Sequence, residues 1–371
     1  MLRRVGSRVA VAVTMSKACS RTEEQVVAEE RLVNGSFSPV GQECALPSDW
    51  TACRLERVVP YNHDTSIFLL STSTKEPLKL PVCSCLLLRA EAVTPEGERE
   101  LVVRPYTPIA EAGDFEKILP LKDLKKDASF FALMVKRYRE WGYDPRNAQF
   151  DTPSFRASYR PPGLASNYIF SEPETIDLKH VDSCRKLQYP FEKEVELINM
   201  IAVGAGIAPM IQALTKILFT KNDKTKVVLF YGNRSVEDIL LKETLDYWAS
   251  DLFKDRLKVV YCVGSRYANV HSGLKKQVKD TGFSTTYDAL SKPPELPLYD
   301  SLPVSKSQAK EPGWVGKDAI QKHAFPPNHN TRTFVCGLPK VYLKLCGPRA
   351  DPNCTGILRD LGYQTKHVVK F

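Results

Sequence analysis

The hydrophobic period of this chain changes near residue 190, and that change restricts the fold more than any other feature. From Leu46, apolar and β-branched residues fall in short runs: Ala52 to Val59, Ser66 to Ser71, Val82 to Ala90, Leu101 to Arg104 and Phe130 to Val135. Turn formers such as Thr94-Pro95-Glu96-Gly97 separate them, which points to an antiparallel sheet or small barrel. Beyond residue 190, Leu197 to Val203 is an apolar strand. Ile207, Ile211, Leu214 and Leu218 then recur at helical spacing around Pro209, a residue suited to a first helical turn. Val227 to Tyr231, Leu257 to Val263 and Thr333 to Cys336 continue the strands, with a helix over Val236 to Phe253 and a short last strand over His367 to Phe371. Such alternation builds a doubly wound parallel sheet covered on both faces. The expected fold is an antiparallel β-barrel domain over 46–190 followed by an α/β domain over 191–371.

Two stretches fit neither half. Residues 139–162 are rich in aromatics and prolines, and residues 265–312 in Pro, Lys and Ser, so both read as surface insertions. At 371 residues with 43% hydrophobic and 26% charged residues, the chain is long enough for two cores, and wholesale disorder is excluded. No stretch approaches the roughly 20 uninterrupted apolar residues of a membrane span.

The formal charge of +9 is uneven, since Arg3, Arg4, Arg8, Lys17 and Arg21 precede the first acid, Glu23. Without them +4 remains, which argues against nucleic acid as a direct ligand and still suits an acidic protein partner. Leu2, Val5, Val9 and Val13 line one helical face among these cations and Ser7, Ser16 and Ser20. That is the pattern of a mitochondrial presequence over 1–21, with 22–45 a linker. The apolar run Val9–Val13 is too short for a secretory signal, and a basic disordered tail is the bland alternative. The ten cysteines are scattered, and a mitochondrial address favours free thiols. Neither Cys83-x-Cys85 nor Cys346-x7-Cys354 has histidines at ligand spacing, so no metal is expected.

Chemistry concentrates in two places. Gly204-Ala205-Gly206-Ile207-Ala208-Pro209-Met210 joins a strand to a helix, where glycines admit a pyrophosphate and the helix start offers free N–H groups. Alone, this spacing describes an ordinary tight turn equally well. Upstream, Arg104-Pro105-Tyr106-Thr107-Pro108 ends a β run with a phosphate fork, a flat ring and a hydroxyl.

Together with several further segments, these make residues 50–371 resemble the NADH-cytochrome b5 reductase family, within the ferredoxin-NADP reductase-like flavoenzymes. Arg104-Pro105-Tyr106-Thr107 is similar to the family's R-x-Y-[ST] motif, Val135-Lys136-Arg137-Tyr138 to V-K-x-Y, and Gly163-Leu164-Ala165-Ser166 to G-x-x-S. The Gly204 loop is similar to G-x-G-I-[AT]-P, Tyr231-Gly232-Asn233-Arg234-Ser235 to the segment beside the adenosine ribose, and Cys336-Gly337 to the C-G-P turn. Phe371 matches the family's terminal aromatic.

The resemblance implies a Greek-key FAD barrel, an NADH domain and two cofactors, FAD and NADH. It places Arg104 on the FAD pyrophosphate, Tyr106 against the isoalloxazine and Thr107 at the flavin, with Pro105 among the cofactor-binding residues. Lys136 and Tyr138 would face the cofactors, and Gly163, Leu164, Ala165 and Ser166 would hold the pyrophosphate. Gly204, Gly206, Pro209, Met210 and Gly337 would serve the nicotinamide side, Asn233, Arg234 and Asp238 the adenosine ribose, and Phe371 is counted among the cofactor-binding residues. Thr107, Lys136 and Cys336 stand at the catalytic centre, with no side chain acting as nucleophile. The implied reaction is hydride transfer from nicotinamide to flavin, followed by one-electron transfer to a cytochrome b5-like protein, a quinone or an iron-sulfur partner. Asp238 favours NADH by repelling a 2′-phosphate, whereas Arg234 would attract one.

The chain departs from the family at Cys83-Ser84-Cys85, at Leu338-Pro339-Lys340-Val341 and at Tyr189-Pro190. The two insertions support an alternative: an accessory subunit of a larger mitochondrial assembly, making subunit contacts through 139–162 and 265–312.

Overall fold

A computed structural model describes residues 44–74, 76–94, 97–119, 129–140, 161–187, 189–191, 194–263 and 307–371. The presequence 1–21, most of the linker, and the insertions apart from 139–140, 161–162 and 307–312 lie outside the described residues. The chain divides into two units.

The first unit holds seven strands: β1 (Thr51–Pro60), β2 (Thr65–Ser71), β3 (Leu86–Val93), β4 (Arg99–Tyr106), β5 (Ala110–Glu111), β6 (Phe130–Lys136) and β7 (Thr175–Lys179). They form one antiparallel sheet in the order β4-β3-β7-β1-β2-β6-β5. β2 is buried along its whole length because β1 and β6 flank it. Leu70, Leu88, Phe131, Leu133 and Leu178 converge from four strands on one core, so the sheet curls around it. Among the described residues no ladder joins β4 to β5, and the barrel read from sequence is therefore a half-barrel. β3 starts at Leu86 rather than Val82, since Cys83 takes a positive φ of 60° and Ser84 makes only an isolated bridge to Arg185.

The second unit carries a six-stranded, wholly parallel sheet of β8 (Leu197–Val203), β9 (Lys226–Asn233), β10 (Leu257–Val263), β11 (Gln308–Pro312), β12 (Thr331–Cys336) and β13 (Val368–Lys370). Its order is β11-β10-β9-β8-β12-β13. Continuous apolar runs make β8, β9 and β10, as expected of strands covered on both faces. The chain leaves β8 in one direction toward β11 and returns on its other side with β12. The crevice outside the carboxyl ends of β8 and β12 is thus the topological switch point, the usual ligand position in such sheets.

Two readings need correction here. Gln308–Pro312, assigned to an insertion, is the edge strand β11 paired with Val259–Val263. The helix expected over Val236–Phe253 begins only at Lys242. Ile239, Leu240 and Leu241 are consecutive and all buried, which one face of a helix cannot provide, and Leu241 takes a left-handed φ of 55°. Leu240 N instead donates to Tyr231 Oη at 3.2 Å.

Candidate functional site

In the first unit, β4 changes character along its length. Val102 and Val103 are fully buried, whereas Arg104, Pro105, Tyr106 and Thr107 all keep exposed surface. Pairing of Leu88 with Arg104 and of Leu86 with Tyr106 sets this end of the strand. The Arg104 guanidinium donates to the Val103 carbonyl at 2.8 Å, which orients it along the strand end. Burial, with a smaller contribution from Tyr138, pushes the Tyr106 phenol up, so it stays protonated as a flat neutral ring.

Lys136 ends β6, where its ammonium pairs with Asp64 at 2.7 Å. Asp64 is a residue the sequence reading missed, because the two are far apart in the chain. Tyr138 is 40% exposed, and its backbone is strapped to the Gly163 turn. Gly163 N donates to Tyr138 O at 2.8 Å, as does Asn167 Nδ2 at 2.9 Å. A Cβ on Gly163 would lie 2.9 Å from Tyr138 Cβ, so only glycine fits this strap. The Ser166 hydroxyl donates to Gly163 O at 2.9 Å and accepts from Tyr138 N at 3.2 Å. Its donor is therefore spent on the turn, in contrast to the pyrophosphate role the resemblance gave it. What Leu164 and Ala165 offer a ligand is the main chain of the first helical turn, since Ala165 is buried.

In the second unit two turns meet at the switch point. β8 runs into the turn Gly204–Gly206 and then the helix Ile207–Phe219. Gly204 takes a φ of 56°. A Cβ on Gly206 would stand 2.4 Å from the Cys336 carbonyl oxygen and 2.7 Å from its carbon. The glycine is thus required by the close passage of the Cys336–Gly337 turn, which no local sequence signal reveals. Pro209 and Met210 are both buried in the first turn of this helix.

At the end of β9, Asn233 is 5% exposed, and neither its Nδ2 nor its Oδ1 has a hydrogen-bond partner. An unsatisfied buried amide is costly, and a ligand that both donates and accepts would satisfy it. Beside it, Arg234 grips Asp238 with two bonds, Nε to Oδ2 at 3.0 Å and Nη2 to Oδ1 at 2.7 Å, and Ser235 Oγ adds a third at 3.2 Å. The two charges read from sequence as rival determinants of cofactor choice therefore form one ion pair.

Cys336 ends β12 partly exposed, and burial of its sulfur raises the thiol pKa. Leu338 precedes a helix over Pro339–Leu345 with proline in its first turn, so the departure from C-G-P still closes as a strand-to-helix turn. Phe371, which the resemblance places among the cofactor-binding residues, packs its ring 5.6 Å from Phe334, with the residue 6% exposed. Among the described residues no helix is long and apolar enough to cross a membrane.

Residues 200–299 match the family model described as the oxidoreductase NAD-binding domain. "NADH-cytochrome b5 reductase 2" of Candida albicans is 27% identical over 332 residues, covering 87% of this chain and 83% of that protein. "NADH-cytochrome b5 reductase-like protein" of Arabidopsis thaliana is 27% identical over 337 residues, covering 89% of this chain and 80% of that one. Among solved structures, the cytochrome b5 reductase domain of Ulva prolifera nitrate reductase superposes with a TM-score of 0.56 at 23% identity, covering 88% of this chain and 98% of that one. Along most of its length the sequence is similar to proteins named NADH-cytochrome b5 reductase, and its antiparallel-then-parallel architecture is that of the Ulva reductase domain.

Proposed function

We propose that this protein is an FAD-dependent NADH reductase that delivers electrons to a one-electron acceptor. The observation that carries the reading is the buried, unpartnered Asn233 amide at the carboxyl edge of a parallel sheet, inside the segment that matches the NAD-binding model. A dinucleotide presents the donors and acceptors this amide lacks, and at Gly204, where a Cβ would meet nothing within 4 Å, the turn leaves room for a pyrophosphate. In the other unit, the exposed end of β4 fits FAD: Arg104 supplies a phosphate fork, Tyr106 a ring face and Thr107 a hydroxyl. FAD, when bound, supplies the conversion of two-electron into one-electron chemistry. The chain's own part is to bind and orient: Asn233 fixes one half of the dinucleotide, while the Cys336–Gly337 turn borders the crevice.

NADH rather than NADPH is favoured because the Arg234 guanidinium is already committed to Asp238 and accepts a 2′-phosphate only by giving up that pair. The names of the relatives support a cytochrome b5-like acceptor, and the net positive charge suits an acidic one. Import into mitochondria is part of the same proposal, on the strength of the acid-free basic residues 1–21.

The test is an absorbance spectrum of the purified full chain, followed anaerobically by stoichiometric NADH and then NADPH. A yellow protein bleached by NADH supports the reductase. A yellow protein that NADH leaves unbleached, or a colourless one that FAD does not reconstitute, moves the assignment to an accessory subunit.

A further inference from the structure

One hydroxyl near the switch point gathers three groups from three elements. Tyr342, on the helix Pro339–Leu345, is 2% exposed. Its Oη donates to the Phe371 main-chain oxygen and accepts from Gly337 N at 3.4 Å, and it stands close enough to the Cys336 sulfur to oppose part of the rise in thiol pKa that burial causes. A phenol has one proton and two lone pairs: the proton goes to Phe371 and a lone pair to the Gly337 amide, with the oxygen held beside the Cys336 sulfur. Arg349 Nε reaches the same Phe371 oxygen at 2.6 Å. Phe371 N in turn donates to Val335 O at 2.9 Å, one residue before Cys336. The end of β12, the last strand and the following helix are thereby locked at a single oxygen. Burial raises the pKa of both the Cys336 thiol and the Tyr342 phenol, so the protons that make these bonds stay in place near neutral pH.

We propose that Tyr342 is a positioning residue for the Cys336–Gly337 turn, setting the direction of the Gly337 amide and of the Cys336 sulfur against the Gly204–Gly206 turn. This rests on the NADH-reductase reading for its catalytic consequence but not for its geometry. Mere packing predicts otherwise, because phenylalanine at 342 fills the same space without the oxygen.

The experiment is Tyr342→Phe in the flavin-loaded full chain, with amide hydrogen exchange resolved by peptide. Exchange over residues 336–338 is expected to rise about tenfold, while β8 and β9 keep wild-type exchange. NADH turnover with ferricyanide is expected to drop about tenfold in kcat, with KM within about twofold and flavin content unchanged. Arg349→Met, which removes the guanidinium donor to Phe371 and leaves the Tyr342 hydroxyl in place, should move the same peptide in the same direction by a smaller factor, and it keeps the test available if Tyr342→Phe fails to fold. Wild-type exchange over 336–338 in whichever variants fold, or a rise spread equally over the sheet, overturns the proposal. If NADH fails to bleach the wild-type flavin, the reductase reading falls while the exchange result still decides the role of Tyr342.

Discussion

The carbonyl oxygen of Cys336 stands 2.4 Å from the point where a Cβ on Gly206 would lie. Both groups belong to the backbone of packed turns, so neither can move aside as a side-chain tip does. Gly206→Ala is therefore expected to destabilise the protein by about 1–3 kcal/mol and to push the two turns apart. Gly204→Ala makes the useful contrast. Its Cβ would meet nothing within 4 Å, so the cost is only that of a left-handed alanine, about 1–2 kcal/mol. Thermal melts paired with NADH titration separate them: the Gly206 variant should lose NADH reduction while keeping its flavin, and the Gly204 variant should lose much less. Equal losses in both would show that contact between the turns is not what matters.

Asn233 allows a test in which stability and function move in opposite directions. Leaving both amide atoms unpaired costs the free protein about 1–3 kcal/mol, a cost absent from a leucine of similar volume. Asn233→Leu is expected to melt at or above the wild-type temperature without nucleotide, and to raise KM for NADH at least about tenfold. A variant that binds NADH normally would remove the observation on which the functional proposal stands.

The two sheets were legible because short apolar runs such as Phe130–Val135 and Leu197–Val203, and the helical spacing of Ile207, Ile211, Leu214 and Leu218, are local patterns. Motif positions came through for the same reason, since Gly204–Gly206 and Arg104–Tyr106 each lie at one strand end. What stayed hidden were relationships made by the fold. The Lys136–Asp64 pair joins residues on separate strand ends, and the Gly206–Cys336 contact joins turns 130 residues apart in sequence. The packing of Phe371 on Phe334 likewise depends on the parallel pairing of β13 with β12. The start of the second helix was misread because no Gly or Pro interrupts Val236–Phe253, while in the fold Ile239, Leu240 and Leu241 are all buried ahead of the helix.

Cofactor choice turns on the Arg234–Asp238 pair, whose carboxylate is buried and whose guanidinium is 40% exposed on its side chain. Asp238→Asn removes the charge that holds Arg234 and leaves the guanidinium able to swing to a 2′-phosphate. The expected result is a rise of about tenfold in the NADPH:NADH ratio of kcat/KM, with a loss of stability of about 1–3 kcal/mol from the broken buried pair. Arg234→Gln in the same background should return the ratio to its starting value. Steady-state kinetics with both nucleotides decide it, and an unchanged ratio in Asp238→Asn would locate specificity elsewhere.

The pH dependence of stability follows from two groups in the second unit. His367 is 4% exposed, and its Nδ1 accepts from Gln364 N at 3.0 Å, a bond only the neutral ring can make. Burial first, then the charges of Lys366 and Arg332, lower its pKa below the ordinary 6.5. As pH falls past 6.5, the unfolded chain takes up a proton that the folded chain refuses until a lower pH, so stability declines across that interval and levels off beneath it. Glu311 acts lower. Its hydrogen bond from Lys322, aided by His323, holds its pKa below 4.5, so its contribution is present above 4.5 and is lost as pH falls through the folded value. Urea unfolding from about pH 3 to about pH 8 should therefore show two separate declines on acidification. His367→Asn, which keeps an acceptor for Gln364 N, should erase the decline that begins at 6.5 and leave the lower one, and Glu311→Gln should do the reverse. A His367→Asn protein that still weakens between 6.5 and 4.5 would mean that another group carries the upper limb.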